Sequence, residues 1–167
     1  MKLDAKNFKQ VTPFLYRGGI PSEEDIYKLK DLGIKTIVDF NVSRNLAEFY
    51  LVKNQDEAKI AKSLGIKYIS LPWLAYMDKS IRPTYYKNII KKFLQIIQDK
   101  ENHPLYVHCY HGRERTGMLI AIYRITQEQY TLKNALKEMK SFGFNPLIHL
   151  DLALYLTFFY FNHLRSK

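Results

Sequence analysis

Twice in this chain an amphipathic run ends at a leucine-glycine pair and passes straight into a β-branched run. Leu32-Gly33 opens onto Ile34 to Phe40, and Leu64-Gly65 opens onto Ile66 to Leu71. The first run carries its own start signal: Ser22 followed by Asp25 forms a capping box ahead of Ile26, Leu29 and Leu32 at helical spacing. Glycine at each stop suits the left-handed backbone that closes a helix. A second helix is predicted over roughly Asn54 to Leu64, ahead of the second strand. Helix and strand alternating in this way predict a parallel sheet, because a crossover between parallel strands needs about a helix's length of chain.

The rest of the chain fits the same scheme. Phe8 to Arg17 read as one or two short extended pieces around Pro13, ending at a Gly18-Gly19 turn. After Pro72 an irregular stretch, WLAYMDKSIR, precedes a helix that opens at Pro83, with Tyr86, Ile89, Ile90, Phe93, Leu94 and Ile97 on its inner side. Leu105 to His108 reads as a short buried strand, and helices follow at about Thr116 to Thr126, Thr131 to Phe142 and Leu147 to Leu164. The last contains LALYLTFFYF, is apolar around much of its circumference, and is expected to be a buried core helix. Residues 1–167 are therefore expected to form one three-layer α/β domain, with a mostly parallel central sheet of about four to five strands flanked by helices.

Charge narrows the partners. Lysine and arginine number 26 against 16 acids, a net charge of +10, which favours a phosphorylated substrate, a nucleic acid or an anionic membrane surface. A single cysteine excludes an internal disulfide framework and fits a reducing compartment. The N-terminus, MKLDAKNFKQ, has no apolar h-region, and no stretch approaches an uninterrupted membrane span. A cytoplasmic, monomeric protein with no membrane span is expected.

The cysteine lies in VHCYHGRERTG, Val107 to Gly117, on the turn from the predicted strand Leu105 to His108 into the next helix. In parallel α/β sheets ligands bind beyond the carboxyl ends of strands, where a helix N-terminus offers unpaired N–H groups and the positive end of its dipole. Tyr110, His111, Gly112, Arg113 and Glu114 make a loop short enough for successive N–H groups to converge on one tetrahedral anion, with Gly112 where a side chain would clash. Arg115 adds a planar fork matched to two phosphate oxygens. The same field favours thiolate over thiol, which makes Cys109 a nucleophile beneath a phosphate cradle.

His108-Cys109, five residues, then Arg115-Thr116-Gly117 resembles the signature of the cysteine-dependent protein tyrosine phosphatase superfamily, in its dual-specificity-like branch. LYRGGIPSEEDIYKLKDLGIKTIVDF is similar to the opening of compact atypical dual-specificity phosphatases. The resemblance implies that Cys109 attacks phosphorus, that Arg115 holds the phosphoryl oxygens, that the Thr116 hydroxyl bonds the sulfur, and that an aspartate on a preceding loop protonates the leaving oxygen. No metal and no cofactor are implied. Asp78 stands 31 residues before Cys109 in an irregular segment, where that acid belongs; Glu114, beside the motif arginine, is the second candidate, and solvent is the third reading.

Other residues keep two readings. Thr116 also suits a helix cap. His108 is expected to be structural, bonding loop backbone. His111 and Arg113 either are solvated or contact further phosphates; Arg17 and Arg44 stand at strand ends that could face the same rim, with solvation the default for each. Trp73 and Tyr76 either line the pocket or belong to the core. His108, Cys109 and His111 lack a further cluster to complete a metal site. The substrate expected is a phosphorylated small molecule or phosphoprotein, either inositol polyphosphate or phosphotyrosine protein. The 5′ end of RNA is the alternative, although no basic, aromatic-interleaved stretch supports nucleic acid. A catalytically silent phosphate-binding module is the remaining one.

Overall fold

In the computed structural model, which describes residues 3–41, 54–73 and 82–166, the N-terminal extended pieces pair as an antiparallel hairpin of β1 (Lys9–Thr12) and β2 (Leu15–Gly18). Ser22 then caps α1 (Glu23–Asp31): its hydroxyl accepts from the Asp25 N–H, and the Asp25 carboxylate accepts from the Ser22 N–H. Gly33, at φ 80°, ends this turn in the backbone region that L side chains avoid, and β3 (Thr36–Asp39) follows. The unit repeats as α2 (Asn54–Ser63) and β4 (Lys67–Ser70). Next come α3 (Arg82–Gln98), a short 3-10 turn, β5 (Leu105–His108), α4 (Glu114–Gln127), α5 (Leu132–Ser141) and α6 (Leu150–Arg165). The chain divides into two compact units, residues 1–112 and 113–167.

The first unit carries a five-stranded sheet in the order β1-β2-β5-β3-β4, parallel except for the β1–β2 hairpin. Central strands β3 and β5 are buried along their whole length, as β-branched and aromatic runs between two layers should be. On one face Ile26, Leu29 and Ala61 of α1 and α2 pack with Ile37 and Tyr106 of the sheet. Side chains alternate along a strand, so Phe40 looks to the opposite side from Ile37; there it meets Phe93 of α3 edge-on, with ring centres 5.6 Å apart. Trp73 is buried against Tyr86 at 4.5 Å, which assigns it to the core.

Parallel register is what prepares the site. Gly18, Asp39 and Ser70 stand level with His108 across the sheet, so the strands end together at their carboxyl side and Cys109 is one residue beyond that edge.

In the second unit α4 is buried on almost every side from Thr116 to Tyr123. The Thr131 hydroxyl caps α5 by accepting from the Asn134 N–H at 3.2 Å. Two sequence expectations are corrected here. The helix α4 begins at Glu114 with Arg113 at its cap position, so Thr116 is the third helical residue and not the cap. The helix α6 buries Leu152 and Leu156, while Leu150, Leu154, Phe158 and Phe161 are exposed. Packing on α4 and α5 covers one face of it, and an apolar circumference in the sequence carries no information about what is there to cover the other. Among the described residues no helix is long and apolar enough to cross a membrane.

Candidate active site

Cys109 is 3% exposed and starts the loop that closes the first unit. Three consecutive carbonyls of that loop are tied down from outside it. The Ile20 N–H donates to the Tyr110 oxygen at 3.1 Å, Asn7 Nδ2 to the His111 oxygen at 2.9 Å, and Arg17 Nη2 to the Gly112 oxygen at 2.6 Å. In a trans peptide the N–H points opposite to the C=O of the same plane. Holding these oxygens back therefore turns the N–H groups of the same planes the other way, as an anion cradle requires. Gly112, at φ 68°, has no room for a side chain: a Cβ there would stand 2.5 Å from the Gly18 carbonyl carbon and oxygen. Gly19 also lies close to the loop, since its Cβ would stand 2.9 Å from the Tyr110 oxygen, and Tyr106 Oη donates to the Gly19 oxygen at 2.5 Å.

Arg17 corrects an expectation. It was expected to be solvated, yet it is fully buried, and its guanidinium backs the loop. Burying a cation is costly unless it is bonded, and a charge-assisted bond to a carbonyl is one of the stronger kinds. The signal was present in the sequence as a lone arginine between the apolar run Phe14-Leu15-Tyr16 and Gly18-Gly19.

Beneath Cys109 lies a charge cluster that sequence reasoning missed. His108 points toward α2, where its Nε2 is 2.8 Å from Glu57 Oε1 and its Nδ1 is 3.8 Å from Asp39 Oδ1, all three buried. His108 was expected to bond loop backbone; its close contacts here are carboxylates. Burial alone would push the imidazole down, but the charges of Glu57 and then Asp39 outweigh it and raise it to about 9. Burial pushes the Glu57 carboxyl up, with His108 opposing. Asp39, Glu57 and His108 bring ligand atoms within 4.8 Å of one another, a spacing a metal could use. Asp39 is already taken, however: Oδ1 accepts from the Asn41 N–H and Nδ2, and Oδ2 from Tyr68 Oη. The cluster reads as an ion-paired network. An aspartate at the end of the Ile37-Val38 strand was its only hint, since Glu57 is one of many acids on a helix.

This network fixes a pH dependence. A group raised in the folded state stabilises fully below its unfolded value and loses that stabilisation as pH rises through its folded value, so the His108 contribution falls between about 6.5 and about 9. Urea unfolding of the wild type at steps across that window is expected to show declining stability, and Glu57→Gln a flatter profile. Parallel profiles would mean that His108 is neutral in the folded protein.

In the second unit Arg115 and Thr116 lie in the first turn of α4, whose leading N–H groups have no acceptor within the helix. Thr116 is fully buried and its hydroxyl has no hydrogen-bond partner among the described residues. Glu114 has a local explanation: its carboxylate is 3.1 Å from Arg113 Nε and 3.5 Å from His149 Nε2. Arg113 is thereby paired, and its side chain passes over Gly143, where a Cβ would be 3.0 Å from Arg113 Cδ. Tyr110 is 58% exposed, with His111 edge-on to it at 4.6 Å. Asp78, Arg44 and Tyr76 lie outside the described residues.

A cysteine one residue beyond the carboxyl edge of a parallel sheet opens a loop whose carbonyls are turned back, so that its N–H groups can meet an anion. The tyrosine phosphatase family model matches residues 2–165, and the chain belongs to that family. It is 28% identical over 139 residues to the dual specificity protein phosphatase TpbA of Pseudomonas aeruginosa, covering 83% of this chain and 55% of that protein. It is 29% identical over 133 residues to the inositol diphosphatase DSP3 of Arabidopsis thaliana, covering 79% and 60%. The chain thus spans little more than half the length of these relatives. Among solved structures, a cysteine-to-serine form of P. aeruginosa TpbA in complex with phosphotyrosine superposes with a TM-score of 0.66 at 26% identity, over 90% of this chain and 82% of that one.

Proposed function

We propose that residues 1–167 act as one phosphatase domain that hydrolyses phosphomonoesters through a phosphocysteine intermediate. The observation that carries this reading is the loop after Cys109 with its three carbonyls held back by Ile20, Asn7 and Arg17. Cys109 Sγ attacks phosphorus in line, and the S–P bond forms as the P–O bond to the leaving group breaks. Arg115 and the loop N–H groups of Tyr110, His111, Gly112, Arg113 and Glu114 hold the equatorial oxygens, while Asp78 gives its proton to the leaving oxygen. Asp78, now ionised, takes a proton from the water that attacks the intermediate; the S–P bond breaks, and phosphate departs. The Thr116 hydroxyl is assigned to the departing sulfur, a role that its buried, partnerless state supports. His108 positions Cys109 and carries no proton in either step. No step uses a metal.

Phosphotyrosine and inositol polyphosphate are the two substrate classes, supported by the two kinds of named relative. The net charge of +10 favours the polyphosphate. Two cations expected at a polyphosphate rim do not stand free there, because Arg17 backs the loop and Arg113 pairs with Glu114. Exposed Tyr110 at the loop suits an aromatic ester better. The test is kcat/KM measured side by side on a phosphotyrosine peptide, inositol hexakisphosphate and triphosphate-ended RNA. A peptide preference of about tenfold or more removes the inositol reading, the reverse removes the peptide, and highest efficiency on RNA displaces both. Phosphate release from none of them, nor from an aryl phosphate, would leave a silent phosphate-binding module.

Asp78→Asn is expected to lower kcat by about 100-fold or more on alkyl phosphates and far less on an activated aryl phosphate, whose leaving group departs without a proton. If the limb of the pH profile that reports the acid is unchanged, the role passes to Glu114 or solvent.

A further inference from the structure

The second unit has an outer surface that the phosphatase reading does not use. Leu147, Leu150, Leu154, Phe158 and Phe161 are exposed by 87, 55, 60, 65 and 52%. In α6 the spacing of Leu150, Leu154, Phe158 and Phe161 puts these four on one stripe opposite buried Leu152 and Leu156, and Leu147 stands in the turn just before the helix. Such a contiguous apolar stripe is uncommon on a protein that meets only water.

The unit leans basic, although Asp151 stands on α6 itself. Residues 113–167 hold eight basic and four acidic side chains. Three of the acids are engaged within the unit: Glu114 with Arg113, and Glu128 and Glu138 with Arg124. On α5, which packs against α6, Lys133, Lys137 and Lys140 recur at helical spacing on the side turned away from buried Ala135 and Met139, and all three are exposed. Arg165 is exposed at the end of α6. Exposed leucine and phenylalanine on one helix, with a row of exposed lysines on the helix packed against it, is a combination that inserts apolar side chains among headgroups and attracts anionic lipid.

We propose that this face docks on an anionic membrane surface, with α6 lying in the plane of the headgroups. At 16 residues α6 is about 24 Å long, short of the roughly 30 Å hydrocarbon thickness a spanning helix must cross. A second copy of the chain is the less favoured occupant, because two molecules carrying +10 each repel one another where an anionic surface attracts both.

The experiment is co-sedimentation of the full chain with vesicles of phosphatidylcholine alone and of phosphatidylcholine with about one-third phosphatidylserine, in low and high salt. Binding is expected on the anionic vesicles, with loss in high salt. The double variant Phe158→Ser/Phe161→Ser and the triple variant Lys133→Gln/Lys137→Gln/Lys140→Gln should each weaken it by about tenfold or more. Both variants should keep wild-type turnover of an aryl phosphate, which reports that they fold. No binding to the anionic vesicles, or equal binding by both variants and the wild type, would overturn the proposal. So would a concentration-dependent dimer in sedimentation velocity that the phenylalanine variant dissolves, since that assigns the face to a second copy.

Discussion

Cys109→Ser releases no phosphate from an aryl phosphate and still binds an oxyanion: that is the expected result of the most decisive substitution in this chain. An alcohol at neutral pH is a far poorer nucleophile than a thiolate, so the first step stops and no intermediate forms. The cradle survives, because the bonds that hold it run from Ile20, Asn7 and Arg17 to loop carbonyls and none of them involves the sulfur. Competition between tungstate and a fluorescent phosphate ester should give dissociation constants within a few-fold of wild type. Turnover above about one per cent of wild type would take Cys109 out of the mechanism.

Arg115→Lys is expected to cost on the order of a thousandfold in kcat/KM. The guanidinium offers two parallel N–H groups to two equatorial oxygens, and that pairing strengthens as negative charge spreads over them at the transition state; an ammonium is one point charge. The effect should fall on kcat more than on KM, because the ground-state anion is still met by the loop N–H groups. A change in kcat of less than about tenfold would place some other cation on the phosphoryl oxygens.

Much of this molecule can be read from local pattern, and the unread part has a common cause. The capping box at Ser22, the glycine stops at 33 and 65 and the strand that delivers Cys109 are each set by a few neighbouring residues, and each forms as expected. Cys109 and Arg115 stand at a spacing that can be read from the sequence without any structure. What was not legible depends on residues far apart in the chain. Arg17 meets Gly112 across 95 positions, and Glu57 on α2 meets His108 at the end of β5, so neither contact leaves a local mark. α6 failed differently: hydrophobicity reports what a side chain prefers, and Phe158 and Phe161 are apolar but not covered. The cap of α4 lies three positions before Thr116, at Arg113, a residue with no side-chain cap bond and so no cap signal in the sequence.

The N-terminal hairpin looks like the dispensable margin of the sheet, since β1 is an edge strand with half its residues exposed. Yet Asn7, Arg17, Gly18, Gly19 and Ile20 are the wall against which the anion loop is built. The ordering entropy of that loop is met once, when the chain folds, and is not charged again to each substrate molecule that arrives. A shortened chain beginning after residue 20 would keep every residue of the phosphatase signature and lose the scaffold that gives the signature its shape. Loss of the hairpin is therefore expected to abolish oxyanion binding although every signature residue remains.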